Sequence, residues 1–145
     1  MKIGDFGISK RVEASQKSPS TRMGTPGYMS PERMGITIPG LVEMSSDGYA
    51  ADIWSLGEIA FQSMTSMLSF GNDINGMFEY AHGQRPFPVS PLEKKSISDL
   101  GQTFIKAAMM ALPRDRMTAK QALDHNWVVN GKIKDEEVEI LPDAR

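Results

Sequence analysis

Hydrophobic positions are spread unevenly along the chain, and the change comes at Tyr49. Before it, Gly24, Gly27, Gly35, Gly40 and Gly48, with Pro19, Pro26, Pro31 and Pro39, interrupt each apolar stretch before a helical period can establish itself. Residues 1–48 therefore read as irregular chain, with Ser15 to Arg22 the most polar piece. An irregular run of that length is uncommon in a compact domain unless it carries function. From Tyr49 onward, Ala50, Ala51, Ile53, Trp54, Leu56, Ile59, Ala60, Phe61, Met64, Met67 and Leu68 cover nearly the whole circumference of a helical wheel. That pattern predicts a helix over 49–69 that is buried on all sides. Asp47 is placed to cap its start, Asp52 falls near its positive end, and Gly57 leaves a notch for a closely packed neighbour.

Further along, 72–79 reads as a short helix and 84–91 as a proline-punctuated connection. Leu100, Phe104, Ala108 and Leu112 recur at four-residue spacing, with Ile105 and Met109 widening the stripe, and Pro113 should end that helix. Thr118-Ala119-Lys120-Gln121 has the form of a capping box, which starts a third helix running through Leu123 toward Trp127. No segment alternates as a strand would and none repeats, so the fold is predicted to be mainly α.

Composition narrows the class. The chain has 145 residues, 40% of them hydrophobic and 23% charged, which suits one globular domain and excludes collagen-like, disordered and coiled-coil chains. Sixteen Lys and Arg against eighteen Asp and Glu leave no basic field to recruit nucleic acid or an anionic membrane. There is no cysteine, hence no disulfide, thiolate metal site or thiol nucleophile. Asp5 interrupts the start where a signal peptide would be apolar, and the longest apolar run, Ala107 to Leu112, is far short of a membrane span. A soluble protein of the cytoplasm or nucleus is expected. His82 and His125 lack ligand-spaced companions, the charged run from Asp135 to Glu139 reads as a solvated tail, and Met64, Met67, Met109 and Met110 read as core filling.

Candidate chemistry lies in motifs that gain weight from their order. Asp5-Phe6-Gly7 alone carries little, but it is followed by Gly24-Thr25-Pro26-Gly27-Tyr28-Met29-Ser30-Pro31-Glu32. Asp52-Ile53-Trp54-Ser55-Leu56-Gly57, Pro113-Arg114-Asp115-Arg116-Met117-Thr118-Ala119 and Leu123-Asp124-His125-Asn126-Trp127 then follow. This succession resembles the C-terminal half of a eukaryotic Ser/Thr protein kinase domain, from the magnesium-binding motif to the last helix of the large lobe. Gly24 to Tyr28 and His125-x-Trp127 are in the style of calmodulin-dependent-kinase-like families. The resemblance implies an incomplete kinase domain over 1–128, made of a magnesium loop and activation segment (1–33), an insertion loop (34–48) and a helical large lobe (49–128). A charged tail (129–145) follows.

By that resemblance Asp5 would coordinate the Mg²⁺ bridging the phosphates of ATP, since a hard cation prefers carboxylate oxygen. Phe6 would pack into the core and set the state of the motif, and Gly7 would supply backbone freedom. Thr21 matches the usual activation-loop phosphorylation position, with Ser18 and Ser20 as rivals. The alternative is a solvated polar loop, because the family's usual arginine partner precedes a catalytic aspartate that these residues do not contain. Thr25 resembles the threonine that marks Ser/Thr specificity beside the substrate hydroxyl, and Gly27, Tyr28 and Met29 would flank the residue after the phosphoacceptor. Glu32 and Arg116 match a buried structural ion pair. Asp52 would accept backbone N–H groups from the catalytic loop, and Trp54 and Gly57 share its structural helix.

Neither a Gly-x-Gly-x-x-Gly cover, a Val-Ala-x-Lys lysine nor His-Arg-Asp-x-Lys-x-x-Asn occurs in the 145 residues. The small lobe and catalytic loop thus have no counterpart here, and most of the ATP site's walls and the catalytic base go with them. The expected chain is a Ser/Thr kinase fragment that is inactive alone, a pseudokinase-like module binding protein substrates or regulators, or a non-functional remnant. Its uncovered large-lobe face is expected to be apolar and to promote association.

Overall fold

The computed structural model describes residues 24–41 and 48–131. Among the described residues these helices follow one another: α1 (Gly48–Thr65), α2 (Ile74–Ala81), α3 (Ser90–Lys94), α4 (Asp99–Ala108) and α5 (Ala119–Asp124). Single 3₁₀ turns occupy Pro26–Tyr28 and Pro113–Asp115, and helical backbone resumes over 126–131. Among the described residues there is no strand, and the fold is mainly α, as the pattern predicts.

α1 is the axis of the molecule, but it is not buried all round. Ala51, Trp54, Glu58, Phe61 and Thr65 recur at alternating spacings of three and four and form the inward stripe. Leu56, Ile59 and Met64 face outward with Asp52 and Ser63. Hydrophobicity around the wheel therefore overstated burial within the described chain. The helix also stops at Thr65, not 69. The Thr65 hydroxyl bonds back to the Phe61 carbonyl at 2.8 Å and Ser66 takes a φ of 64°, which swings Met67 and Leu68 off the helical path.

α4 crosses α1 where Gly57 leaves room: a Cβ at Gly57 would lie 2.5 Å from Cγ of Met109 and 3.0 Å from Cβ of Ala108. Aromatic rings fill the space beside this crossing. Trp54 stacks on Phe70 at 6.3 Å between centroids, and Phe87 meets both Phe61 and Phe70 edge-on. Tyr80 donates its hydroxyl to the Met109 carbonyl at 2.8 Å, and burial pushes its phenol up to about 12, so it remains a neutral donor.

Several boundaries differ from the pattern for local reasons. α2 is capped by Asp73, whose side chain accepts the Gly76 N–H, so it starts at Ile74. A helix that the pattern does not predict, α3, starts at the end of the proline-punctuated stretch and runs beyond it, with Pro91 in its first turn, where a missing N–H costs nothing. α4 ends at Ala108, four residues before Leu112; the Ala107 carbonyl takes the Met117 N–H at 3.1 Å in place of a helical donor, and Arg116 gathers the Met110 and Ala111 carbonyls. Leu100 lies at the exposed edge of its stripe. The capping box of α5 is present, with Thr118 and Gln121 bonding reciprocally, yet the helix breaks at His125 before Trp127, and Leu123 faces solvent. Met109 is fully buried, whereas Met64, Met67 and Met110 are exposed and do not fill the core. Of the stretch 34–41, Met34 and Ile36 pack against the core and Ile38 is 2% exposed. Asp47 and the charged run from Asp135 lie outside the described residues. No described helix is long and apolar enough to cross a membrane.

Candidate functional site

Pro26 sets up the turn after Thr25, and the carbonyls of Thr25 and Pro26 accept the N–H groups of Tyr28 and Met29 at 3.0 and 3.1 Å. Thr25 is exposed at the tip, while Gly27, Tyr28 and Met29 are half-buried. The loop is seated on α1 by two side chains seven residues, or two turns, apart. Ser55 donates its hydroxyl to the Tyr28 carbonyl at 2.9 Å, and Gln62 accepts the Tyr28 hydroxyl at 2.5 Å. Leu68, just beyond the helix, lies under Gly27 so closely that a Cβ there would come within 2.6 Å of its Cδ1.

The chain then turns inward at buried Ser30 and meets Arg116 from 84 residues away. Nη1 and Nη2 of Arg116 bind the two carboxylate oxygens of Glu32, each at 2.7 Å, in a parallel fork. The rest of the guanidinium is also engaged: Nη1 donates to the Ala50 carbonyl, Nη2 to Ala111 and Nε to Met110. All five N–H groups thus have partners, and the guanidinium lies 5.1 Å over the Trp54 ring. Burial pushes the Glu32 carboxyl upward, but the Arg116 bonds and charge, aided by the Ser30 hydroxyl at 2.7 Å, outweigh it and hold the group below its ordinary value. Trp54 is wholly buried, and its indole N–H has no partner among the described residues.

Asp52 and Gly57 lie on α1 with Trp54 but point different ways. Gly57 faces α4, whereas Asp52 is exposed; partial desolvation raises its carboxyl and the Arg33 charge opposes the rise. Asp5, Phe6, Gly7, Ser18, Ser20 and Thr21 lie outside the described residues. His82 has Nδ1 2.9 Å from the Phe78 carbonyl, and His125 Nδ1 accepts the Trp127 N–H at 3.2 Å. Among the described residues no group of three or more His, Asp or Glu converges as metal ligands would.

Sequence reasoning missed Ser55, Gln62 and Glu58. Glu58 is 1% exposed, with its carboxylate on the N–H and hydroxyl of Ser69. The signal was available, since an acid at position 58 falls on the same helical stripe as Ala51, Trp54, Phe61 and Thr65. Ser55 and Gln62 carry no such mark, because polar residues on a helix ordinarily face water.

Comparison with known proteins places this geometry in context. Residues 1–128 match the model of the protein kinase domain. The chain is 33% identical over 128 residues to calcium/calmodulin-dependent protein kinase cmkB of Emericella nidulans, covering 87% of this chain and 30% of that protein. It is 31% identical over 128 residues to calcium/calmodulin-dependent protein kinase type 1 of Caenorhabditis briggsae, covering 87% and 33%. The chain thus spans about a third of the length of these curated relatives. Among solved structures, Rad53 residues 1–466 in complex with AMP-PNP align with a TM-score of 0.56 at 26% identity, over 72% of this chain and 26% of that one.

Proposed function

The chain belongs to the protein kinase family as a fragment of a Ser/Thr protein kinase domain, and on that premise we propose that it forms the substrate-facing part of the large lobe. The observation that carries the reading is the double anchorage of 25–32: Ser55 and Gln62 hold Tyr28 on α1, and Arg116 holds Glu32. Thr25, exposed at the tip, would stand beside the acceptor Ser or Thr of a protein substrate, with Gly27, Tyr28 and Met29 receiving the following residue. Asp5 would hold the Mg²⁺ of ATP, which when bound neutralises charge on the transferred phosphoryl. Phe6 and Gly7 would set the state of that motif, and Thr21, Ser18 or Ser20 would take a regulatory phosphate.

The 145 residues alone should not turn over. They contain no His-Arg-Asp aspartate to orient the acceptor hydroxyl and no Val-Ala-x-Lys lysine for the phosphates, and a site that works by positioning loses nearly all its rate when half its groups are missing. A second reading, favoured by the same gap beside an intact loop seat, is a pseudokinase-like module that binds protein substrates or regulators without chemistry. One experiment tests what the two readings share: incubate the purified chain with magnesium, radiolabelled ATP and a Ser/Thr peptide, beside Asp5→Ala, and titrate the same peptide for binding. We expect no phosphate transfer above the control and peptide binding weakened by Tyr28→Ala. Transfer above Asp5→Ala overturns the inactivity, and binding indifferent to Tyr28 overturns the substrate-facing assignment.

A further inference from the structure

We infer that Glu58 is a positioning residue that locks the substrate-facing loop from inside the protein, acting through Ser69 and Leu68. This rests on the reading that 25–29 faces substrate, but its geometry stands separately. Glu58 is the one carboxylate on the inward stripe of α1, and nothing cationic meets it among the described residues. Its oxygens instead accept the Ser69 N–H, at 2.6 Å, and the Ser69 hydroxyl.

Those two bonds tie down a turn that does not hold itself comfortably. Ser66 sits at a φ of 64°, a left-handed conformation that a residue with a Cβ adopts at a cost. Thr65 stitches the near side through contacts between its hydroxyl and the backbone of Met67, and Glu58 stitches the far side at Ser69. Leu68 lies between the stitches, and Leu68 is the side chain pressed against Gly27. A buried acid in the helix therefore determines where the support under Gly27 stands, three links away from any substrate. An aliphatic side chain at position 58 would fill the same apolar stripe, so packing alone does not call for a carboxylate; the Ser69 donors do.

The test is residue-resolved amide hydrogen exchange on the full 145-residue chain at neutral pH. In Glu58→Leu, which keeps bulk but removes both acceptors, the Tyr28 and Met29 amides should exchange about tenfold faster, while Phe104 and Ile105 in α4 change much less. Glu58→Gln, whose carbonyl still accepts the N–H and whose amide donates to the hydroxyl, should stay near the unaltered protein. Leu68→Ala should reproduce the effect of Glu58→Leu, and combining the two should add little. Unchanged protection at Tyr28 and Met29 in Glu58→Leu overturns the inference, and so does a uniform rise across α4, which would make Glu58 a general support. Should Glu58→Leu fail to fold, Ser69→Ala carries the same comparison with a smaller increase of about threefold. Because exchange reads the loop and not its ligand, a positive result stands even if the peptide titration fails.

Discussion

Replacing Arg116 by Met removes the group on which the loop and the late helices converge. The guanidinium fills five roles at once: a fork to both oxygens of Glu32 at 2.7 Å, and single bonds to the carbonyls of Ala50, Met110 and Ala111. Methionine fits the slot over Trp54 but leaves the mostly buried Glu32 carboxylate with only the Ser30 hydroxyl and its own backbone N–H, and strands three carbonyls. Breaking one partner of a buried pair costs about 3–5 kcal/mol. At about 3 °C per kcal/mol for a chain of this size, the melting point should fall by about 10–15 °C. The assay is urea unfolding of the unaltered chain, Arg116→Met, Glu32→Gln and the double variant. Glu32→Gln removes the charge that Arg116→Met strands, so the double variant should be more stable than the sum of the singles implies, by at least about 1.5 kcal/mol. A cost below about 1 kcal/mol for Arg116→Met, or a double variant equal to the sum within about 0.5 kcal/mol, would contradict a fork that stabilises this pair. Either would mean that water replaces the fork without loss.

The crossing of α1 and α4 makes a second prediction. Gly57→Ala forces a Cβ into contact with Met109 and Ala108, both fully buried, and should cost about 1–3 kcal/mol by urea unfolding despite alanine's better helix propensity; a stabilised variant would show that the helices slide apart freely. Acid titration should separate the two buried acids. Glu32 is held below its ordinary 4.5, so its contribution is present above that value and lost as pH falls through the lower folded one. Glu58 is raised, chiefly by burial, so its contribution is present below 4.5 and lost as pH rises through its folded value. Urea midpoints between about pH 3 and 7 should therefore flatten on the acid side in Glu32→Gln and on the side above 4.5 in Glu58→Gln. Slopes identical to the unaltered protein in both variants would contradict the assignment.

How much was legible beforehand depended on whether the signal was local. The helical period from Tyr49, the capping box at Thr118 and the order of the short motifs are read from neighbouring residues, and they sufficed for the fold class and the family. Helix ends were read less well because tertiary partners set them. Nothing near Leu112 announces that carbonyls in its turn belong to a guanidinium at 116, or that Ser66 will leave the helical path. The outward stripe of Leu56 and Ile59 has the same origin, since an apolar wheel shows that a helix is able to be buried and not which of its faces has a neighbour.

Local order of residues specifies the inventory: a mainly helical chain, one tyrosine-bearing loop, an acid and an arginine 84 positions apart, and a glycine notch. The pairings come from long-range packing. Ser55 and Gln62 become a seat for Tyr28, and Glu58 a stitch on Ser69, because the packing of the chain against α1 brings distant donors and acceptors to bonding distance. Hydrogen bonds are directional over a few tenths of an ångström, while hydrophobic periodicity specifies a face to within a wide arc, so the pattern that predicts an element says little about its partners.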